Sequence, residues 1–472
     1  MILRFTFSNF RAFKGTQTLN LASSKADKHL SENCFSPDLP GLKGGQWVKA
    51  AALYGANASG KSSVLEALKC LSNFVSTSAK TTDPKDSISG IEPFALNPGE
   101  PIEPTAFGII FVAEGVRYEY RVAATHQQIF HESLRAFPSS TGKEQLWFSR
   151  AWDVSTRNFE WAPDRPTGYQ PDPKKREFTL PNVLFLSKAI SLGDTQLEPV
   201  FRWFKEGLRF FDLSVRMRGL DNEFTIDQFS QKTPLATKVI KVLRHADLGV
   251  LGAKVNEPES LDSLLQKALE TLPPEKRSIP QLLDEPEVGG AWRRMLTSRL
   301  STRTTRDDDR IELLHRGANG REIGLPWSSE SAGTRRLFSL AGPLLDILEK
   351  GQTVCIDELE TSMHPRMVNE LLKLIFSDES NPGGAQVLFT SHNPLLLDPT
   401  LLRRDQVWFT EKDVEGVSHL YPLTDYQPRP DESLARGYLA GRYGGIPYIP
   451  HGLLGSVDLE DFSQPATKSE ED

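Results

Sequence analysis

The sequence predicts an α/β protein: a mixed sheet carries the chemistry, and a mainly helical lobe is inserted between its two halves. Three observations predict this. Gly55-Ala56-Asn57-Ala58-Ser59-Gly60-Lys61-Ser62 fits G-x-x-x-x-G-K-[ST] and lies between a buried strand, Trp47–Tyr54, and an amphipathic helix, Ser63–Phe74. Far along the chain, the apolar strands Gln352–Ile356 and Ala385–Thr390 alternate with helical segments, as a doubly wound sheet requires. Between these ends, Pro199–Phe211, Thr233–Leu248 and Ser260–Leu272 carry apolar residues at i, i+3 and i+4 spacing.

In order along the chain, residues 1–22 read as two strands around a bend at Asn9-Phe10-Arg11-Ala12-Phe13, and 23–46 as a polar loop rich in Gly, Ser and Pro. Ser78–Ser89, after the first helix, reads as a mobile polar loop. Ala106–Val112 and Val116–Val122 flank a hairpin at Ala113-Glu114-Gly115, and sheet continues to about residue 162. A connection rich in Pro, Asp and Lys, 163–177, leads to helical patterning from Asn182. Thr233-Pro234 supplies an N-cap followed by proline at the first helical position. Residues 311–327 return to strands around a turn at His315–Arg321, and helices and strands alternate from 330 onward. The expected units are 1–180, the first half of the α/β unit with its P-loop and a β-subdomain; 181–310, the inserted, mainly helical lobe; 311–455, the second half; and 456–472, an acidic tail that frays.

The bulk numbers narrow the function. A chain of 472 residues is too long for one ordinary core. A net charge of −7 argues against a protein wrapped in nucleic acid over its whole surface, though not against a local basic groove. Cys34, Cys70 and Cys355 are odd in number and widely spaced, so neither a disulfide framework nor a zinc knuckle is indicated. Met1–Phe7 alternates like a strand and lacks a signal-peptide core, and no apolar run approaches the ~20 residues of a membrane helix. The expectation is a soluble cytoplasmic protein with no membrane contact.

The motifs point to phosphate chemistry. In the P-loop pattern, small residues let successive backbone amides curl around a phosphate, and the following helix start adds its positive dipole end. Lys61 would reach the β/γ-phosphates and the Ser62 hydroxyl would ligate Mg²⁺. The strand ending in Asp357-Glu358 fits a Walker B motif: Asp357 would hold the Mg²⁺ shell, and Glu358 would orient or deprotonate the attacking water. His392, in Ser391-His392-Asn393-Pro394, could bond a γ-phosphate oxygen or that water, or simply cap its strand. Ser331 opens a helix in Glu330-Ser331-Ala332-Gly333-Thr334; it is a good N-cap, and the same helix start could bind a phosphate. With one phosphate cradle already at Gly55–Ser62, a second is most useful against a nucleotide held by another copy.

This set resembles the ABC-type ATPases of the SMC, RecF and OLD kind, over about 1–75 and 325–425. Phe5, Asn9, Phe10 and Phe13 are similar to the start of those proteins, and the resemblance implies that Arg11 lies near the adenine. It implies nucleotide-binding roles for Arg11, Gly55, Asn57, Ser59, Gly60, Lys61, Ser62, Ser63, Ser331 and Gly333, metal roles for Ser62 and Asp357, and catalytic roles for Glu358 and His392. Ser331-Ala332-Gly333-Thr334 resembles an S-G-G-Q signature with Thr334 in place of Gln, and Leu359–Pro365 resembles the D-loop of the OLD-like branch. Gln127 and Gln128 are the candidates for a Q-loop glutamine by position alone. The run Glu330–Leu337 and the late Tyr438–Pro447 look like the ATPase subunits of bacterial anti-phage and restriction-linked systems, of the Rlo, PARIS and abortive-infection types. That resemblance implies ATP and Mg²⁺ as cofactors, a homodimer or higher oligomer through composite ATP sites, and a separate effector such as a TOPRIM-like nuclease. No TOPRIM domain is evident in the 80 residues after His392, where Asp458, Glu460 and Asp461 read as solvated charges.

Two readings therefore stand: a nucleotide-driven sensor or scaffold that controls a toxic partner, and a DNA-processing ATPase of the RecF/SMC type. The basic run Arg293, Arg294, Arg299, Arg303, Arg306 and Arg310 is either a solvated face or a phosphate-tracking patch for DNA or RNA. Lys174-Lys175-Arg176 is a shorter version of the same.

Overall fold

The computed structural model describes residues 1–24, 29–37, 42, 44–96, 103–162, 167–211, 222–246, 249–256, 310–429 and 432–447. The segment Ser260–Leu272, the arginines from Arg293 to Arg306 and the acidic tail lie outside the described residues.

The chain opens with β1 (Ile2–Ser8) and β2 (Gln17–Asn20), antiparallel around the expected bend. A 3₁₀ turn and a two-residue ribbon, β3 (Cys34–Phe35) with β4 (Trp47–Val48), occupy part of what reads as plain loop. Then come β5 (Ala50–Gly55) and α1 (Lys61–Thr77), whose Val64, Leu68, Leu71 and Val75 fall on one buried stripe. Five antiparallel strands follow: β6 (Thr105–Ala113), β7 (Val116–Ala124), β8 (Ile129–Phe137), β9 (Gln145–Asp153) and β10 (Asn158–Ala162). The β6–β7 turn uses Glu114 and Gly115, both at positive φ, the geometry a tight hairpin needs. Short helices α2 (Pro173–Glu177), α3 (Phe185–Ser191) and α4 (Glu198–Arg202) lead to β11 (Leu208–Phe211).

Helices α5 (Asn222–Ser230) and α6 (Pro234–His245) precede an antiparallel sheet of β12 (Val250–Val255), β13 (Ile311–Arg316) and β14 (Glu322–Pro326). The chain then alternates α7 (Ala332–Lys350), β15 (Thr353–Ile356), α8 (Pro365–Phe376), β16 (Gln386–Thr390), β17 (Val407–Lys412), β18 (Ser418–Pro422) and α9 (Leu434–Leu439).

Two sheets organise these elements. One is antiparallel, in the order β10-β9-β8-β7-β6-β1-β2. The other is mixed, in the order β11-β15-β16-β5-β17-β18, with parallel pairing from β11 to β17 and β18 antiparallel at the edge. Burial along β5 explains its central place. Ala51 and Leu53 join Cys355, Leu388 and Trp408 in a core shared with α1 and the antiparallel sheet. Ala50, Ala52 and Tyr54 join Val354, Phe389 and Phe409 in a core shared with α7 and α8. A strand covered on both faces must be apolar throughout, and Ala50–Gly55 is. Buried amides stitch the sheet to the chain start: Gln386 accepts from the Ile2 amide at 2.8 Å and donates to the Val48 carbonyl at 3.0 Å.

One sequence expectation is corrected here. Pro199–Phe211 reads as a single helix, but only its first turns are helical; the wide turn Trp203–Gly207 ends them, and Leu208–Phe211 is the edge strand of the mixed sheet, parallel to β15. Helical periodicity cannot register a four-residue strand following directly on a helix. The mixed sheet therefore reaches into the span 181–310 expected to be a mainly helical insertion, and β12 adds antiparallel sheet to the same span.

Candidate nucleotide site

The carboxyl ends of three adjacent parallel strands, β15, β16 and β5, converge at one edge of the mixed sheet, where ligands bind in open α/β folds. β5 feeds the P-loop. Gly55 has a backbone that leaves no room for a side chain: a Cβ would lie 2.5 Å from both the Thr410 carbonyl oxygen and its hydroxyl. Gly60 sits at φ 108° with the Phe13 ring 2.9 Å from where its Cβ would be, so the Asn9–Phe13 bend packs directly on the loop. The loop crest, Asn57 and Ala58, is exposed. Ser59 is buried and its hydroxyl is engaged with Thr410 at 2.6 Å, which leaves its backbone rather than its side chain to face a phosphate.

Lys61 curls back over the loop. Its Nζ donates to the carbonyls of Gly55 and Ala56 at 3.0 and 2.9 Å. Burial pulls its pKa down to about 8, against the opposing pull of Asp357, Glu358 and Glu360. Ser62, exposed at the first turn of α1, donates its hydroxyl to Asp357 Oδ1 at 3.0 Å; Ser63, the next residue, is half-buried. The expected metal pair is thus brought within one hydrogen bond. Among the described residues no group of three or more His, Cys, Asp or Glu gathers to hold a metal ion. A hydroxyl and a carboxylate fit Mg²⁺ nonetheless, because that ion keeps most of its shell as water and phosphate oxygen.

Thr390, at the end of β16, is a residue that the sequence reading missed. Its hydroxyl donates to Asp357 Oδ1 at 2.6 Å and accepts from the Glu358 backbone amide at 2.7 Å. The signal was a lone hydroxyl closing a strand whose preceding three residues, Val387, Leu388 and Phe389, are apolar. The bond fixes Glu358 at φ 51°, a backbone region that costs a side-chain-bearing residue free energy and is over-represented at functional sites. The Glu358 carboxylate accepts from the Thr361 hydroxyl at 3.0 Å. On the far side, the Asp357 amide donates to the Phe211 carbonyl at 3.2 Å, so the corrected strand β11 also helps to hold the acid.

His392 lies just past Thr390, and its backbone amide donates to Glu360 Oε1 at 2.5 Å. Burial, then the charge of Lys61, push its imidazole below the ordinary histidine value. Arg336, a second missed residue, reaches from α7 to the same acids; burial lowers its pKa to about 10 while Glu358 and Glu360 pull the other way. Arg11 is clamped by Glu92, through Nε at 2.8 Å and Nη2 at 3.1 Å, with Glu66 of α1 at 3.9 Å.

Ser331 and Gly333 behave differently. Ser331 caps α7 by accepting from the Thr334 amide at 3.0 Å, and a Cβ on Gly333 would lie 2.9 Å from the Ser362 carbonyl oxygen. Among the described residues, no hydrogen bond joins either to Gly55–Ser62. Gln127 and Gln128 fall in the β7–β8 turn of the antiparallel sheet.

Residues 50–398, about three quarters of the chain, match the family model described as "AAA domain, putative AbiEii toxin, Type IV TA system". The chain belongs to that family. The AAA assignment agrees with a P-loop ATPase head of the α/β ABC type, which the strand order also gives. Solved structures similar to this AAA-domain protein include the SMC head domain from Thermotoga maritima, at 13% identity over 89% of this chain and 98% of that one, with a TM-score of 0.37. Another is the SmcHead bound to the C-winged helix domain of ScpA, at 13% identity over 89% and 96%, with a TM-score of 0.39. Superposition that loose lends nothing to the reading of function. None of the curated proteins matches the chain. Among the described residues, no helix is long and apolar enough to cross a membrane.

Proposed function

We propose that this AAA-domain protein binds and hydrolyses Mg-ATP at composite sites between copies. In this reading it serves as the sensor or scaffold subunit of a bacterial anti-phage defence system, controlling a separate effector such as a TOPRIM-like nuclease. The observation that carries the nucleotide part is the Ser62–Asp357–Thr390 junction, which joins the first turn of α1 to the ends of β15 and β16 by bonds of 3.0 and 2.6 Å beneath the P-loop. The defence part rests on the resemblance of Glu330–Leu337 and Tyr438–Pro447 to anti-phage ATPase subunits; the family description itself names a toxin of a Type IV TA system.

The residues then divide the work. Backbone amides of Gly55–Ser62 surround the β/γ-phosphates, and Lys61 exchanges its loop carbonyls for phosphate oxygens. Mg²⁺, when bound, would supply Lewis-acid stabilisation of the charge that develops on the phosphates. Ser62 and Asp357 are the side chains that would hold it. Thr390 locks Asp357 and the Glu358 peptide together, so the carboxylate that takes the water's proton needs no reorganisation. His392, held below the usual histidine pKa, is neutral at pH 7 and can donate one ring N–H to the γ-phosphate. Ser331 and Gly333, at the free end of the 19-residue helix α7, would meet the γ-phosphate of another copy's nucleotide.

The test is Glu358→Gln. ATP binding stays within about threefold of the parent, turnover falls by about 100-fold or more, and a dimer persists in ATP by light scattering. Parental turnover in that variant would end the assignment. For the defence role, recovery of a nuclease partner without DNA supports the sensor; ATP-dependent duplex binding at physiological salt points instead to a RecF/SMC-type processing enzyme.

A further inference from the structure

The last described segment of the chain, outside the residues matched by the family model, is packed against the P-loop. Helix α9 presents Tyr438 to the core, where its ring stacks on Phe409 at 5.6 Å and meets Tyr54 edge-on at 5.6 Å. Tyr54 and Phe409 belong to β5 and β17, the two strands that flank the start of the loop. After α9 the chain turns back through Gly441, Gly444 and Gly445, all at positive φ. The turn is moulded to its neighbours. A Cβ on Gly437 would lie 2.6 Å from the Tyr443 hydroxyl, one on Gly444 2.6 Å from Glu411 Oε2, and one on Gly445 3.5 Å from the Cα of Gly55.

The Tyr438 hydroxyl is the joint. It donates to the Gly445 carbonyl at 3.2 Å and so holds the turn whose Gly445 lies against Gly55. Burial raises the phenol's pKa, so the group is protonated at neutral pH and available as a donor. The contact extends beyond the loop: the hydroxyl of Tyr54, one residue ahead of Gly55, donates to the Asn393 carbonyl at 3.1 Å, next to His392. One phenol thus holds, against the first residue of the phosphate cradle, a turn almost 400 residues further along the chain.

We propose that Tyr438 is a positioning residue for the P-loop: through its hydroxyl, the C-terminal turn Gly441–Ile446 sets the orientation of the Gly55 peptide and so the affinity for nucleotide phosphates. The proposal rests on the nucleotide-binding reading of Gly55–Ser62. It adds a C-terminal element to a site otherwise assembled from strands inside the matched family region. Tyr438 touches no phosphate; it acts through the backbone that does.

The test uses the full chain and Tyr438→Phe, which keeps the ring and removes the hydroxyl, with Leu439→Ala at its exposed neighbour as control. Loss of the hydrogen bond that holds the turn against the loop predicts a Kd for Mg-ATP about fivefold higher by calorimetry, and a KM raised alike with kcat within about twofold. Amide exchange in the nucleotide-free protein quickens across Gly55–Ser62 but not across Thr353–Ile356. Gly445→Ala, which strains the turn at φ 65° and leaves the phenol itself in place, shifts both readouts in the same direction. Should the parent and Leu439→Ala bind Mg-ATP while Tyr438→Phe matches them in Kd and exchange, the positioning role falls and the nucleotide reading stands. A parent that binds no Mg-ATP removes both.

Discussion

Lys61 shows how much a single residue's surroundings decide. A lysine in solution holds its proton to about 10.5, but burial against the loop brings this one to about 8. Between those values the unfolded chain binds more protons than the folded one, so this group makes folding more favourable as pH rises through that window. For nucleotide the sign is opposite. Phosphates favour charged Lys61, so binding takes up a proton above pH 8, and the Kd for ATP rises by up to about tenfold per pH unit from there. Calorimetry at pH 9 in buffers of different ionisation enthalpy measures that uptake directly; no uptake would mean that Lys61 remains charged in the free protein. The glycine-rich loop and its lysine were legible in the sequence because their spacing is local. Thr390 and Arg336 were not, since their value comes from neighbours at Asp357 and Glu358.

Among the elements, the antiparallel sheet and α3 are joined by a buried charge pair whose removal should be felt at once. Glu132 and Arg150 are fully buried, 2.7 Å apart, and Glu132 also accepts from the Tyr120 hydroxyl and from the Phe185 and Leu186 amides that open α3. Glu132→Ala strands the guanidinium and three further donors and is expected to cost about 3–5 kcal/mol. The double variant Glu132→Ala, Arg150→Met is expected to regain much of that, because an apolar side chain leaves no buried charge behind. Urea unfolding followed by the fluorescence of Trp147 and Trp161, in the same lobe, compares the two; equal losses in single and double variants would contradict the account. No local pattern announces this pair, which sits on the neighbouring strands β8 and β9. The same limit explains β11. Its apolar residues fit a helix as well as a strand until β15 is alongside, and Phe211 then helps to position Asp357.

At the scale of the molecule, the P-loop, Asp357, Glu358 and His392 gather at one sheet edge, while among the described residues Ser331 and Gly333 open a helix that shares no hydrogen bond with the P-loop. Composite sites between copies make a specific expectation of that arrangement. Ser331→Arg and Lys61→Ala proteins should each lack turnover alone, and their mixture should recover about a quarter of the parental rate, because half of the dimers are mixed and each of those has one intact site. Steady-state ATP hydrolysis across mixing ratios measures it. A flat line at zero would remove the main support for shared sites.

Sequence alone determined the α/β class, the P-loop pattern, the acidic pair and the strand that leads to His392. Each is written in contiguous residues whose spacing follows from backbone geometry: a loop narrow enough for amides to converge, or a strand of period two. Tertiary structure decided which residues hold those groups in place. Thr390 bonds the Asp357 carboxylate and the Glu358 peptide, β11 supports Asp357, and Tyr438 holds a turn against Gly55 from far along the chain. Those roles depend on the proximity of segments remote in sequence, and only the packing of strands and helices creates it.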